Sequence, residues 1–354
     1  MIDYQLQKNK IYPLIAKSYA MTFAGQRIRE IVDENYSRVK NSDYSLMKEV
    51  HILLCGGKGM YTQWHNEGVI SLIQACGGHG LMASSGFEKL ISLNFPNVIL
   101  EGENTILLLQ VARELLKSME MASRGENQKL IGSLKYLSQI DVHNNYKAPE
   151  KREDYRQVGT YISIFSRIVC MLVQKGGMKM MTSLGEGVKA RDVFDQKIGL
   201  TIVDAAKIHS ILFTLRFFDK KVRSLGEGPV KLALSRLALL YSIDQLFVYC
   251  KQGLETDTLN NTIVSICGEV YEELLEQIHV DALNLIEGYG FPDEMLRSSI
   301  GHSNGKPYEN LYTVAKNNGL LNTFDVHPAM LSYIKNQYAG REHEQEESSP
   351  KPKL

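Results

Sequence analysis

Two short stretches gather the residues that could do chemistry. In NVILEGENTILLLQ, residues 97–110, one glutamate, Glu101, is set against an apolar run and followed by Gly102 and a second acid, Glu103. Apolar surroundings disfavour ionisation, and desolvation raises a carboxyl pKa toward the working pH. A glutamate so placed suits a general base that removes the α-proton of a carbonyl compound, with Gly102 giving substrate close access to the backbone. The same acid also suits the start of a helix near Asn104, where it offsets the macrodipole. The second stretch, QACGGHG at 74–80, places Gly77, Gly78 and Gly80 around His79. These glycines either end a helix through left-handed conformations or let backbone N–H groups approach a phosphate with no Cβ in the way. The loop is neither G-x-x-x-x-G-K-[ST] nor G-x-G-x-x-G after a strand. His51, His65 and His79 are spaced fourteen apart with no carboxylate partners at metal-ligand spacing, so no metal is expected.

Helices must position these stretches, because β-branched alternation is nearly absent and the chain reads as all-α. Apolar residues recur at three- and four-residue steps over about 3–36, and a second long helix is expected over about 44–76. Inside it, CGGKG at 55–59 implies a packing reason or a local break, since each helical glycine costs about 1 kcal/mol against alanine. Residues 74–98, rich in Gly and Ser, predict an ordered non-helical excursion of the functional kind. Helices follow at about 104–122 and 127–140, a polar linker at 142–154, and a second bundle from stretches near 152–175, 200–222, 228–251 and 257–288. KGGMKMM at 175–181 reads as a loop, SLGEG at 183–187 and 224–228 as two similar turns, and Trp64 as core.

Composition narrows the function classes. The 40 basic and 40 acidic residues cancel, leaving no overall field for nucleic acid or an anionic membrane. Apolar runs such as KLALSRLALLYSI are interrupted before the ~20 residues that a membrane span needs, so no span is expected. Five scattered cysteines without C-x-x-C spacing argue against a disulfide framework or zinc site and fit a reducing compartment. The first twenty residues have the layout of neither a signal nor a transit peptide.

Taken together, QACGGHGLMASSGFEKLISLNFPNVILEGENTILLLQ resembles the segment of acyl-CoA oxidases of the form R-E-A-C-G-G-H-G-Y…S-G-L-P…P-x-x-T-[FY]-E-G-[DE]-N-T-V-[LM]-L-Q. IDYQLQKNKIYPLIA is similar to that family's L-D-Y-Q-T-Q-Q-Y-K-L-F-P-L-L-A helix, and GHSNGKPYENLYTVAK to its G-x-x-D-G-N-V-Y-E-N-L-F-E-W-A-K segment. The resemblance implies two all-α bundles, at 1–145 and 151–335, without the N-terminal helical and middle β-domains that precede the D-Y-Q helix in the family. It implies FAD-dependent dehydrogenation of fatty acyl-CoA to trans-2-enoyl-CoA: a glutamate takes the Cα proton, flavin takes hydride from Cβ, and oxygen reoxidises the flavin to give hydrogen peroxide. Residue by residue, Glu101 falls on the base and Gly102 beside the acyl chain or thioester. Gln74, Gly77 and Gly78 fall on the loop that reaches FAD across a dimer interface, and Tyr4, Gln5, Glu103 and Asn104 on further flavin-proximal positions. Leu81, Ile99, Leu100 and Glu88 depart from the family's Tyr, Thr, Phe/Tyr and Pro, which alters pocket shape or flavin contact.

Two readings of activity follow from that resemblance. One is the C-terminal part of an acyl-CoA oxidase in fatty acid β-oxidation, working as a homodimer or with a complementary N-terminal chain. The other is a non-catalytic helical scaffold or interaction subunit. Residues 336–354 read as a disordered tail whose Pro352-Lys353-Leu354 end is close to the peroxisomal S-K-L address, implying an import receptor and a peroxisomal location.

Overall fold

Three- and four-residue apolar spacing produces α1 (Gln5–Lys40), α2 (Met47–Ala75) and, after a short α3 (Phe87–Asn94), α4 (Asn104–Ser123). Further along come α5 (Val158–Gly185), α6 (Gly199–Arg223), α7 (Pro229–Val248) and α8 (Asn261–His279). This is a computed structural model; it describes residues 2–317 and 330–335, and among these no strand occurs. The chain forms two units, one of residues 1–80 and 89–290, the other of residues 81–88 and 291–354.

In the larger unit α6 is the central helix, packed by α1, α4, α5 and α7. Ala205, Ala206, Ile208, Ile211, Leu212 and Leu215 are wholly buried there. Among the described residues, Ala190–Arg223 is the stretch long and apolar enough to cross a membrane, a longer run than the sequence reading allowed. In its most apolar window 67% is buried inside the protein, so the apolar surface is used by the core. Helices from both sides of the expected 142–154 linker share that core: Tyr12, Ile52 and Leu115 lie in one buried cluster with Phe165, Leu212, Leu240 and Cys267.

α2 runs unbroken through CGGKG, and its glycines are explained by packing. A Cβ on Gly56 would stand 2.5 Å from Ser210 Oγ in α6, one on Gly57 3.6 Å from Ile28 Cδ1 in α1, and one on Gly59 3.2 Å from Leu108 Cγ in α4. α6 and α4 thus approach Gly56 and Gly59 more closely than a side chain allows, which offsets the roughly 1 kcal/mol that each of these two glycines costs in propensity, whereas the Ile28 contact at Gly57 is an ordinary one. Trp64, one face further along, is buried edge-on against Tyr241 with ring centroids 6.0 Å apart.

Three expectations need correction. Residues 127–140 are not one helix but 3-10 turns at Asn127–Lys129 and Gly132–Ser138 ahead of a short helix, Ile140–Asn144. The cause is buried Glu49 of α2, whose carboxylate accepts from Ser133 N at 2.8 Å and Ser133 Oγ at 3.2 Å, while a Cβ on Gly132 would overlap it. A continuous helix would return that N–H to its own ladder and leave a buried acid unpaired. KGGMKMM is the last part of α5 rather than a loop, with Gly176 facing Ile202. The 74–98 excursion is made of 3-10 turns around the eight-residue α3, so it is not free of helix. The first SLGEG starts inside α5, which ends at Gly185, so only its Glu186–Gly187 end is a turn, with Gly187 at φ +83°; the second, ahead of α7, is non-helical throughout, with Gly228 at φ +157°.

In the smaller unit the Ser84 carbonyl accepts from Ser299 N at 2.8 Å and Ser299 Oγ at 3.1 Å. Asp293 accepts from Ser303 N at 2.8 Å and Ser303 Oγ at 2.6 Å, ahead of α9 (Pro307–Lys316), which carries the PYENLYTVAK motif. The expected tail, 336–354, with its Pro352-Lys353-Leu354 end, lies outside the described residues.

Candidate functional site

The start of α4 organises the first group of candidate residues. Glu103 is the N-cap: its carboxylate accepts from Thr105 N at 2.9 Å, Thr105 Oγ1 at 3.1 Å and Ile106 N at 3.2 Å. Hydrogen bonds from those backbone and hydroxyl donors hold its carboxyl below the usual range. Asn104 is buried, with its Oδ1 taking a bond from Lys58 Nζ at 2.9 Å and its Nδ2 donating to Thr62 Oγ1 at 3.0 Å. Lys58 Nζ also donates to the Gly102 carbonyl at 2.6 Å. Both side chains assigned beside a flavin therefore already serve the helix terminus and its link to α2.

Glu101 sits one step before this lattice, at φ +60°, followed by Gly102 at φ +111°. The sequence reading expected an apolar, dry setting for Glu101; on this chain the residue is exposed. So are its apolar neighbours Ile99 and Leu100, and Ile106 on the first turn of α4. The apolar run lies along the sequence, but no described part of this chain folds over it. The reason is local: Ile99, Leu100 and Ile106 point away from the α2 contact that buries Asn104 and Leu108.

The second group lies at the other end of α2. Gln7 Nε2 of α1 donates to the Ala75 carbonyl at 3.2 Å, which ties the first turn of α1 to the last turn of α2. This brings the Tyr4–Gln5 segment to the QACGGHG loop, and Tyr4, Gln5, Gln74, Gly77 and Gly78 are all exposed. Gly77 has φ +60°, and nothing stands within 4 Å of where a Cβ on Gly77 or Gly78 would be. Gly80, by contrast, is needed for packing, since a Cβ there would lie 2.5 Å from the Ile73 carbonyl oxygen. The left-handed conformation expected of a helix end thus falls on Gly77, while Gly80 serves packing, a use not weighed from the sequence.

Sequence reasoning missed Lys58 and Thr62. They lie one turn apart on the α2 face opposite α4, and Thr62 Oγ1 also donates to the Lys58 carbonyl at 2.9 Å. The only trace of them in the sequence is Gly59, where a Cβ would stand 3.4 Å from the Asn104 carbonyl oxygen. Among the described residues, no three His, Cys, Asp or Glu side chains converge as metal ligands.

Comparison with known proteins finds relatives along nearly the whole chain. Residues 1–116 match the family described as "Acyl-CoA oxidase, C-alpha1 domain", and residues 157–338 match "Acyl-CoA oxidase". An acyl-coenzyme A oxidase of Caenorhabditis elegans is 29% identical over 335 residues, covering 95% of this chain and 49% of that protein. Peroxisomal acyl-coenzyme A oxidase 2 of Rattus norvegicus is 29% identical over 351 residues, covering 97% of this chain and 50% of that protein. The crystal structure of acyl-CoA oxidase-1 of Caenorhabditis elegans, complexed with FAD and ATP, superposes with a TM-score of 0.88 at 28% identity, over 96% of this chain and 50% of that one. Acyl-CoA oxidase-2 of the same organism, bound with FAD, ascaroside-CoA and ATP, gives a TM-score of 0.88 at 26% identity over 99% of this chain and 50% of that one. The chain spans about half the length of the curated relatives it matches. It belongs to the acyl-CoA oxidase family.

Proposed function

We propose that this chain supplies the catalytic base and one wall of the flavin site in an enzyme that dehydrogenates fatty acyl-CoA to trans-2-enoyl-CoA in fatty acid β-oxidation. The observation that carries the reading is the Glu101–Gly102 turn, held rigidly ahead of α4 with its carboxylate left accessible. In this role Glu101 takes the Cα proton of the thioester, and Gly102, with no side chain, lets the acyl chain lie against the backbone. The residues present suit FAD as one side of a cradle: Gly77 and Gly78 leave their backbone open, and Tyr4, Gln5 and Gln74 stand beside them. FAD, when bound, would accept the hydride leaving Cβ and pass its electrons to oxygen. Glu103 and Asn104 act on this site through the α4 terminus, which they hold in place.

The exposed Ile99, Leu100 and Ile106 require a cover if Glu101 is to work away from water. A second copy of the chain, or a polypeptide equivalent to the half of the relatives that it does not span, provides one. Mixed with such an N-terminal half, the chain should co-purify with bound flavin and acquire the flavin absorbance band. If that half binds flavin identically with and without this chain, the flavin wall is wrong. A helical scaffold without catalysis is the second reading, favoured by Glu103 and Asn104, whose side chains are already engaged in holding the α4 terminus. In that case the two halves would assemble and yield no peroxide from acyl-CoA.

Relatives named as peroxisomal support a peroxisomal address. The Pro352-Lys353-Leu354 end keeps the basic and leucine positions of S-K-L, and we read it as the import-receptor ligand. Residues 343–354 fused to a fluorescent reporter should direct it to peroxisomal puncta; a diffuse cytosolic signal would remove the assignment.

A further inference from the structure

Glu101 carries a Cβ at φ +60°, and Gly102 follows at φ +111°. A residue with a side chain persists at such a φ only where its surroundings over-determine it. The Glu103 cap fixes the chain on the α4 side, but its donors all lie within three residues. The long-range restraint is Lys58, forty-four residues upstream, which reaches from α2 to the Gly102 carbonyl at 2.6 Å and to Asn104 Oδ1 at 2.9 Å. Thr62 completes the bracket by accepting from Asn104 Nδ2 at 3.0 Å. Gly59 makes it reachable, because a side chain there would press on Leu108 and the Asn104 carbonyl.

We propose that Lys58 is the positioning residue for Glu101: its ammonium, braced by Asn104 and Thr62, pins the Gly102 carbonyl and so holds the left-handed turn that presents the carboxylate. The inference rests on the reading of Glu101 as the base and adds what orients it. A hydrogen bond from a charged donor is the strong kind, and no neutral side chain of similar length replaces it. The same cation lies within electrostatic range of Glu101 and Glu103.

The test compares Lys58→Met and Lys58→Arg with the parent. In the isolated chain, hydrogen exchange of the peptide spanning 99–106 should accelerate about tenfold in Lys58→Met, while the α6 core peptides stay protected and Lys58→Arg recovers part of the protection. In the assembled enzyme Lys58→Met should lower kcat about 100-fold with KM little changed. Unchanged exchange in Lys58→Met overturns the proposal whatever Glu101 does. Faster exchange with unchanged kcat overturns it too, by leaving Lys58 a purely structural tie. If Glu101→Gln retains full turnover, the base assignment itself fails; the exchange result then still reports the tie, so the two failures are separable.

Discussion

Glu101→Gln is expected to lower turnover of the assembled enzyme by about 10²–10⁴-fold, the usual contribution of a general base, while flavin binding stays as in the parent. The substitution keeps size and shape and removes only the ability to take a proton at Oε. It should also leave the fold alone. Glu101 is exposed, and among the described residues its carboxylate forms no hydrogen bond or ion pair; the cap of α4 is made by Glu103 and the tie to α2 by Lys58 and Asn104. Thermal stability should therefore stay within about 0.5 kcal/mol, as for surface changes away from special features. The measurement is peroxide release from acyl-CoA together with flavin absorbance and a melting curve on the same sample. Undiminished peroxide would sink the base, and loss of flavin would mean that Glu101 serves the cradle instead.

How far the sequence could be read depended on whether a residue's partners were local. α4 was expected over about 104–122 and runs Asn104–Ser123, because its signals lie within one or two turns: an acidic cap, then apolar residues at helical spacing. Residues 127–140 have the same spacing and fail to form a helix, since the partner that captures Ser133 is Glu49, on another helix. Lys58 was hidden for the same reason, its acceptors lying on the far side of the 74–98 excursion. Glu101 was legible as a candidate because it interrupts an apolar run. Its surroundings were not: sequence neighbours Ile99 and Leu100 are apolar, yet nothing described on this chain covers them. CGGKG was legible as an oddity, and three-dimensional packing alone separates a helix interior crowded on two sides from a break.

Acidification should destabilise the larger unit through His209, at the middle of α6. Burial, helped by the nearby Arg216 guanidinium, pushes its imidazole down to about 3. Tyr136 meets its Nδ1 at 3.1 Å and stacks on its ring, Phe213 lies edge-on to it, and Arg216 sits over the Tyr136 ring, so every neighbour suits a neutral imidazole. The folded pKa lies below the unfolded value of about 6.5, so the unfolded chain binds the proton more readily. Stability is then complete above about pH 6.5 and is lost as pH falls toward about 3. At about pH 5 the loss from this one group is roughly 2 kcal/mol, from 1.36 kcal/mol per unit. Burial also lowers His65 and His143, which add in the same direction, whereas burial raises Glu49 and makes its contribution fall as pH rises. His209→Asn separates the groups. It keeps a polar side chain toward Tyr136, costs some packing at every pH, and removes the titration, so its unfolding free energy should fall less steeply between about pH 6.5 and 5 than that of the parent, by about 2 kcal/mol in total. Parallel curves would show that the acid sensitivity arises elsewhere.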